Sequence, residues 1–184
     1  MRVGAEALGI NYAILRLQNV FGEGQSLGNP YTGLLSIFST KIRYGAEIDL
    51  YEDGLETRDF IHVSDVVEAF RLCVAASEPI NDIINVGSGQ QSSVHEVAKL
   101  LAKAFEVPDA SRVTGHYRIG DIRHNFASTN RAREIIEFEP KISLMAGLQL
   151  FAAWVQTQPL PIDGLAAANS EMSALGLMGR GASK

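Results

Sequence analysis

Among the 184 residues, Asn19, Arg58, Asn85, Arg118, Asp121 and Arg123 pair an ionic or amide side chain with a position at a strand end or in a loop. A guanidinium presents a fork of donors that meets a phosphate or carboxylate through two parallel bonds. Two arginines therefore suit a diphosphate, an aspartate suits a sugar hydroxyl, and an aromatic ring such as that of Tyr51 suits the face of a base. If they converged, these residues would form a site for a nucleotide-diphosphate sugar. The plainer reading of each arginine is a surface salt bridge, with Glu52, Glu56 or Asp59 as the partner of Arg58. For Asn19 and Asn85 it is a loop cap. Spacing alone does not bring the six together.

The stretch that must position Arg58 is YEDGLETRDFIHVSD, residues 51–65. Glu52-Asp53-Gly54 is a turn signal, residues 59–63 alternate as a half-buried strand, and Asp65 with Glu68 makes a capping box. The helix that follows is expected to bury Val66, Phe70, Cys73 and Val74 and to end at Pro79. Upstream, residues 1–8 read as a helix closed by Gly9, and residues 12–17 as a strand covered on both faces. Residues 18–28 read as a loop. Asn29-Pro30 starts a helix with Leu34, Leu35, Phe38 and Ile42 on one face, and residues 47–51 form a short strand.

Downstream, residues 82–86 are expected to be a buried strand. Ser93 and Glu96 cap a helix whose Val94, Val97, Leu101 and Phe105 face the core. Residues 112–117 read as a strand, 118–123 as a loop, and 128–137 and 143–158 as helices. The last of these turns Leu144, Leu148, Phe151, Ala152 and Val155 inward, with Trp154 as a packing residue. From Pro159 the periodicity fades among Gly, Ala and Ser, so residues 159–184 are expected to be a disordered tail, with 166–177 as a weak helix. Alternating helices and strands make the fold class α/β.

With 46% apolar and 20% charged residues the composition is that of an ordinary globular domain. A formal charge of −5 argues against a nucleic-acid surface. No apolar run approaches the ~20 residues of a membrane span, and the first residues carry neither a signal-peptide core nor a transit pattern. The expectation is a cytoplasmic protein with no membrane partner. Cys73 is the single cysteine, and His62, His95, His116 and His124 lack ligand spacing, so no metal is expected. Gly87-Ser88-Gly89 invites a dinucleotide-binding reading, but the position for a third glycine is Ser92, and Glu106 and Asp109 lie at the end of a helix. It reads as a strand-to-helix turn.

The strings LRLQNVFGEGQ (15–25), NPYTG (29–33), YEDGLETRDFIHVSDVVEA (51–69), INVGSG (84–89) and RIGDIRHNFAS (118–128) resemble the C-terminal part of NAD-dependent sugar-nucleotide epimerases and dehydratases. These are extended short-chain dehydrogenases/reductases, and the pattern is most similar to the dTDP-L-rhamnose 4-epimerase type. The resemblance covers about residues 1–158. It implies an incomplete Rossmann-like doubly wound parallel sheet without its N-terminal half, plus a small α/β substrate lobe around residues 49–63. It also implies that Arg58 and Arg118 hold a pyrophosphate, that Asn19, Asn85 and Asp121 face the substrate, that Tyr51 lies at the base, and that Gln18, Asn19 and Val20 border NAD.

The same family carries a glycine-rich dinucleotide loop and a Tyr-x-x-x-Lys pair, and neither occurs here. The five tyrosines, Tyr12, Tyr31, Tyr44, Tyr51 and Tyr117, are followed four residues later by Arg16, Leu35, Ile48, Leu55 and Asp121. The resemblance therefore implies the substrate-binding part of a 4-epimerase, a fragment or truncated frame inactive by itself. The alternatives are a non-catalytic nucleotide-sugar-binding remnant and a dehydratase of the same family. The family's homodimers form through helices largely absent from this sequence.

Overall fold

The computed structural model describes residues 2–29, 33–161 and 164–180. Helix α1 (Arg2–Leu8) ends at Gly9, whose φ of 64° is the left-handed conformation that closes a helix. Strand β1 (Ala13–Leu17) and strand β2 (Asn19–Phe21) follow, then α2 (Leu34–Arg43) and β3 (Ile48–Leu50). The organising stretch supplies β4 (Thr57–Arg58), β5 (Phe60–His62) and α3 (Val63–Ala75). Next come β6 (Asp82–Val86), β7 (Ser92–Ser93), α4 (Val94–Ala104), β8 (Ser111–Val113) and β9 (His116–Arg118). Helices α5 (Asn130–Ile136), α6 (Leu144–Thr157) and α7 (Leu165–Ala174) and strand β10 (Met178–Arg180) complete the order.

Three pairings are parallel: β1 with β6, β2 with β5, and β3 with β8. Two are antiparallel, β4 with β7 and β9 with β10. Parallel neighbours separated by long crossovers are the mark of an α/β sheet. The expected buried strand 82–86 is β6, in register with β1 through Leu15 opposite Ile84.

Two cores flank the strands. Phe21, Leu35, Phe38, Leu50, Phe60, Val97, Leu101, Leu148 and Phe151 form one, gathered from α2, α4 and α6. Ile61, Val66, Ile84, Val86, Ala132, Ile136 and Phe138 form the other, against α3 and α5. Strand β5 lies between them. Its period of two sends Phe60 into the first core and Ile61 into the second, so it is buried on both faces and not half-buried as its pattern suggests. The cap of α4 is as expected, with Ser93 Oγ accepting from Glu96 N at 3.1 Å.

Several local expectations change. The cap of α3 is His62, whose Nδ1 accepts from Ser64 N; Asp65 instead accepts from the backbone amides of Lys141 and Ile142, each at 3.0 Å. Helix α3 packs through Val66 and Ala69, which leaves Phe70 and Val74 exposed. Helix α2 begins at Leu34 after Gly33, while the expected first-turn Pro30 lies outside the described residues. Strand β1 is partly exposed, with only β6 beside it among the described residues. Residues 112–117 split into β8 and β9 around Gly115, whose φ is 71°.

Within residues 159–184, α7 spans Leu165–Ala174, three residues short of the weak helix expected at 166–177, and β10 pairs along β9. A strand of this kind is ordered by the edge it joins, which no periodicity in its own sequence announces. No helix among the described residues is long and apolar enough to cross a membrane.

Candidate nucleotide-sugar cleft

A cleft of about 210 Å³ opens between α2, the 51–58 stretch and the β9 region. Asn19, Tyr51, Arg58, Arg118 and Asp121 all line it, so five of the six expected substrate residues converge. Asn85 does not join them. It sits on β6, and its Nδ2 donates to the carbonyl of Ser128 at 3.4 Å.

Arg58 is fixed at the junction of turn and strand. One guanidinium nitrogen donates to the carbonyls of Thr57 (2.9 Å) and Arg123 (3.1 Å), and the other donates to Asp121 Oδ1 at 2.9 Å. None of the neighbours Glu52, Glu56 or Asp59 is its ion-pair partner; the carboxylate comes from the 118–126 segment. That segment is zipped along β4: Thr57 N donates to Arg123 O at 2.9 Å, and Asn125 N to Thr57 O at 3.0 Å. Arg123 forks onto Glu52 and Asp53 at 2.6 and 2.7 Å, so it clamps the turn and is spoken for. Its bond holds the Asp53 carboxyl below the usual range.

Arg118 is held differently. Its guanidinium carbon lies 5.2 Å from the centre of the Tyr51 ring, a cation–π arrangement, and its buried Nε has no hydrogen-bond partner among the described residues. An unmatched buried donor costs free energy until a ligand supplies an acceptor. The Tyr51 ring also meets His116 edge-on at 6.3 Å, and its hydroxyl donates to Asn169 Oδ1 at 2.9 Å.

Two further acids matter, neither proposed from sequence as a functional group. Glu56 is 7% exposed, lines the cleft, and has Oε1 without a hydrogen-bond partner among the described residues. Burial, with Glu52 and Asp53 nearby, pushes its carboxyl above the ordinary range. Asp59 is fully buried and accepts from Ser88 N (2.7 Å), Ser88 Oγ (2.6 Å), Gly89 N (3.0 Å) and Ala127 N (3.2 Å). The Gly87-Ser88-Gly89 turn is thus wrapped around a carboxylate of its own chain. A Cβ on Gly87 would come within 2.4 Å of Asp59 Oδ2, which is why glycine stands there. The sequence signal for Asp59 is its place directly after Arg58, where it reads as an ion-pair partner.

The expected cofactor-bordering residues sit at the junction of two strands, Gln18 directly after β1 and Asn19 and Val20 at the start of β2. Gln18 N donates to Val86 O and Asn19 N to Asp59 O, both at 2.9 Å, and Val20 packs against the second core. Gln18 Oε1 is buried with no hydrogen-bond partner among the described residues. An orphaned acceptor at the carboxyl end of β1 fits a ligand donor, as in the crevice where α/β sheets bind nucleotides.

The family model described as "NAD dependent epimerase/dehydratase family" matches residues 2–87. A dTDP-L-rhamnose 4-epimerase of Burkholderia thailandensis is 37% identical over 78% of this chain and 39% of its own length. Among solved structures, a UDP-glucose 4-epimerase of Thermotoga maritima with UDP-glucose matches at TM-score 0.71 and 30% identity, over 83% of this chain and 48% of that one. A UDP-N-acetylglucosamine 4-epimerase of Methanobrevibacter ruminantium, in complex with UDP-N-acetylmuramic acid, matches at TM-score 0.79 and 27% identity, over 86% and 50%. The chain spans about half the length of such relatives or less. The family's cofactor is NAD, which a UDP-glucose 4-epimerase of Thermus thermophilus at 25% identity holds in its structure. Parallel strand pairs and these matches together identify the chain as a member of the NAD-dependent epimerase/dehydratase family.

Proposed function

We propose that this chain forms the substrate-binding part of an NAD-dependent sugar-nucleotide 4-epimerase, with residues 1–158 as its core and a nucleotide-diphosphate hexose, a dTDP-sugar in the first instance, as its ligand. The observation that carries the reading is the meeting of Arg58 and Arg118 in one cleft with Tyr51, the Arg118 Nε having no acceptor of its own. Arg58 and Arg118 bind the two phosphates, Tyr51 supports the base, and Asp121 and Asn19 take up sugar hydroxyls. Asn85 lies outside the cleft and is left out of this assignment.

Gln18, Asn19 and Val20 would border the nicotinamide cofactor, and the unpartnered Gln18 oxygen supports that fit. NAD bound there would supply the hydride acceptor for the sugar carbon. The hydroxyl proton must go to a base, and no tyrosine of this sequence has a lysine four residues later. The residues of this chain therefore bind and orient the substrate, and the proton transfer belongs to residues outside this sequence. That same lack favours the second reading, a nucleotide-sugar-binding module without a redox step.

Calorimetry with dTDP tests the binding claim. The wild-type chain is expected to bind, and Arg58→Ala to weaken binding about tenfold to a hundredfold, since a charge-assisted hydrogen bond is worth ~1.5–3 kcal/mol. Wild-type affinity retained in Arg58→Ala would sink the assignment.

A further inference from the structure

The base end of the cleft is closed by a part of the chain that the motifs do not reach. Leu165, at the start of α7, lines the cleft, and one turn on, Asn169 reaches that lining through Tyr51, accepting its hydroxyl at 2.9 Å. Ala168, between them, is buried at 2% exposure and anchors that face of the helix. The helix is followed directly by β10, whose Met178 stands opposite Arg118 in the antiparallel ladder. Ile119 N donates to Leu177 O at 2.9 Å, which extends the pairing. Gly179 lies flat on Tyr117, itself a cleft residue: a Cβ there would come within 2.6 Å of the ring. The segment is therefore tied to Tyr51, Tyr117 and Arg118, three residues of one wall.

We infer that residues 164–180 form the closing wall of the nucleotide site and that Asn169 is a binding residue for the hydrogen-bonding edge of the nucleobase. The inference rests on the reading above that Tyr51 supports the base. A carboxamide carries two donors and two acceptor lone pairs. The bond to Tyr51 uses one of these, so Asn169 keeps both donor and acceptor capacity beside the ring. A base stacked on Tyr51 presents its edge to such a group, whereas a diphosphate held by Arg58 and Arg118 makes no demand on it.

That division of labour supplies the test. Calorimetry on the full chain compares dTDP with inorganic pyrophosphate for wild type, Asn169→Ala, Tyr51→Phe and Gly179→Val. Asn169→Ala is expected to weaken dTDP binding about three- to tenfold, the value of one hydrogen bond, and to leave pyrophosphate binding unchanged. Tyr51→Phe keeps the ring and removes only the hydroxyl anchor, so its loss for dTDP is expected to be smaller than that of Asn169→Ala. Gly179→Val pushes β10 off Tyr117 and is expected to weaken dTDP binding while speeding hydrogen exchange in residues 165–180.

Wild-type dTDP affinity in Asn169→Ala overturns the inference and leaves the diphosphate reading standing. An equal loss for dTDP and pyrophosphate in Asn169→Ala also overturns it, because the side chain would then be a general support. A wild-type chain that binds neither ligand overturns both readings at once.

Discussion

Arg58 and Asp121 stand 63 residues apart in the chain, yet Asp121 Oδ1 accepts from the Arg58 guanidinium at 2.9 Å on the wall of the cleft. Arg58 is mostly shielded, at 15% side-chain exposure, and Asp121 is half exposed. The aspartate thus keeps the fork aimed along the wall, and under the proposed reading a diphosphate takes its place. A phosphate accepts the fork in bidentate geometry.

A lysine at either arginine position restores charge without the fork. Arg58→Lys and Arg118→Lys are expected to recover only part of the affinity for dTDP lost in the alanine variants. Arg118→Lys also loses the planar group that lies over Tyr51. Full recovery by lysine, measured by calorimetry, would mean that plain electrostatic attraction holds the diphosphate.

Asp59 is the most heavily bonded carboxylate near the cleft. Asp59→Asn turns an amide nitrogen toward backbone donors that now meet an oxygen: in one orientation Gly89 N and Ala127 N, which share Oδ2, lose their acceptor, and in the other Ser88 N, which donates to Oδ1, does. A loss of about 2–4 kcal/mol in urea unfolding is expected. Gly87→Ala should lower stability through the same carboxylate, since its methyl would press on Asp59 Oδ2. A Tm within 1 °C of wild type for Asp59→Asn, against the roughly 2–4 °C per kcal/mol of a chain this size, would contradict the account.

Glu56 gives a pH signature. Its carboxyl titrates above the ordinary value of 4.5 because burial disfavours the anion. The folded state therefore holds the proton more tightly than the unfolded chain, and stability is greatest below the unfolded value and falls as the pH rises through the raised one. Glu56→Gln removes the charge, so it is expected to raise Tm at pH 7 and to leave it unchanged near pH 4. A Glu56→Gln Tm equal to or below wild type at pH 7 would show that the carboxylate is stabilised by contacts such as Arg123, 4.0 Å away.

Incubation of this chain with NAD and a dTDP- or UDP-hexose is expected to yield no epimer, because the sequence lacks the Tyr-x-x-x-Lys base. Product analysis by chromatography checks this. Any turnover would point to a proton acceptor among the cleft carboxylates, such as Asp121 or Glu56, and would move the protein out of the binding reading.

Residue types and short-range order carried much of this protein. The apolar run of β6, the Ser93 cap and the inward stripe of α4 are local: each depends on the period of a strand or helix and on one hydroxyl, and each stands where its residues say. The motifs around Arg58 and Arg118 likewise determined the family. Tertiary structure decided what depends on partners distant in sequence. Arg58 finds Asp121 and not a neighbouring acid, because the 118–126 segment lies along β4. Asp65 serves the Lys141 and Ile142 amides and not its own helix, because those amides end a loop that docks there. Phe70 and Val74 stay exposed, because the second core is filled by Val66 and Ala69. Strand β10 exists because β9 offers an open edge. A charged fork, a carboxylate and a strand edge each accept many partners of equal chemistry, so composition and spacing name the group, and only the folded chain chooses the partner.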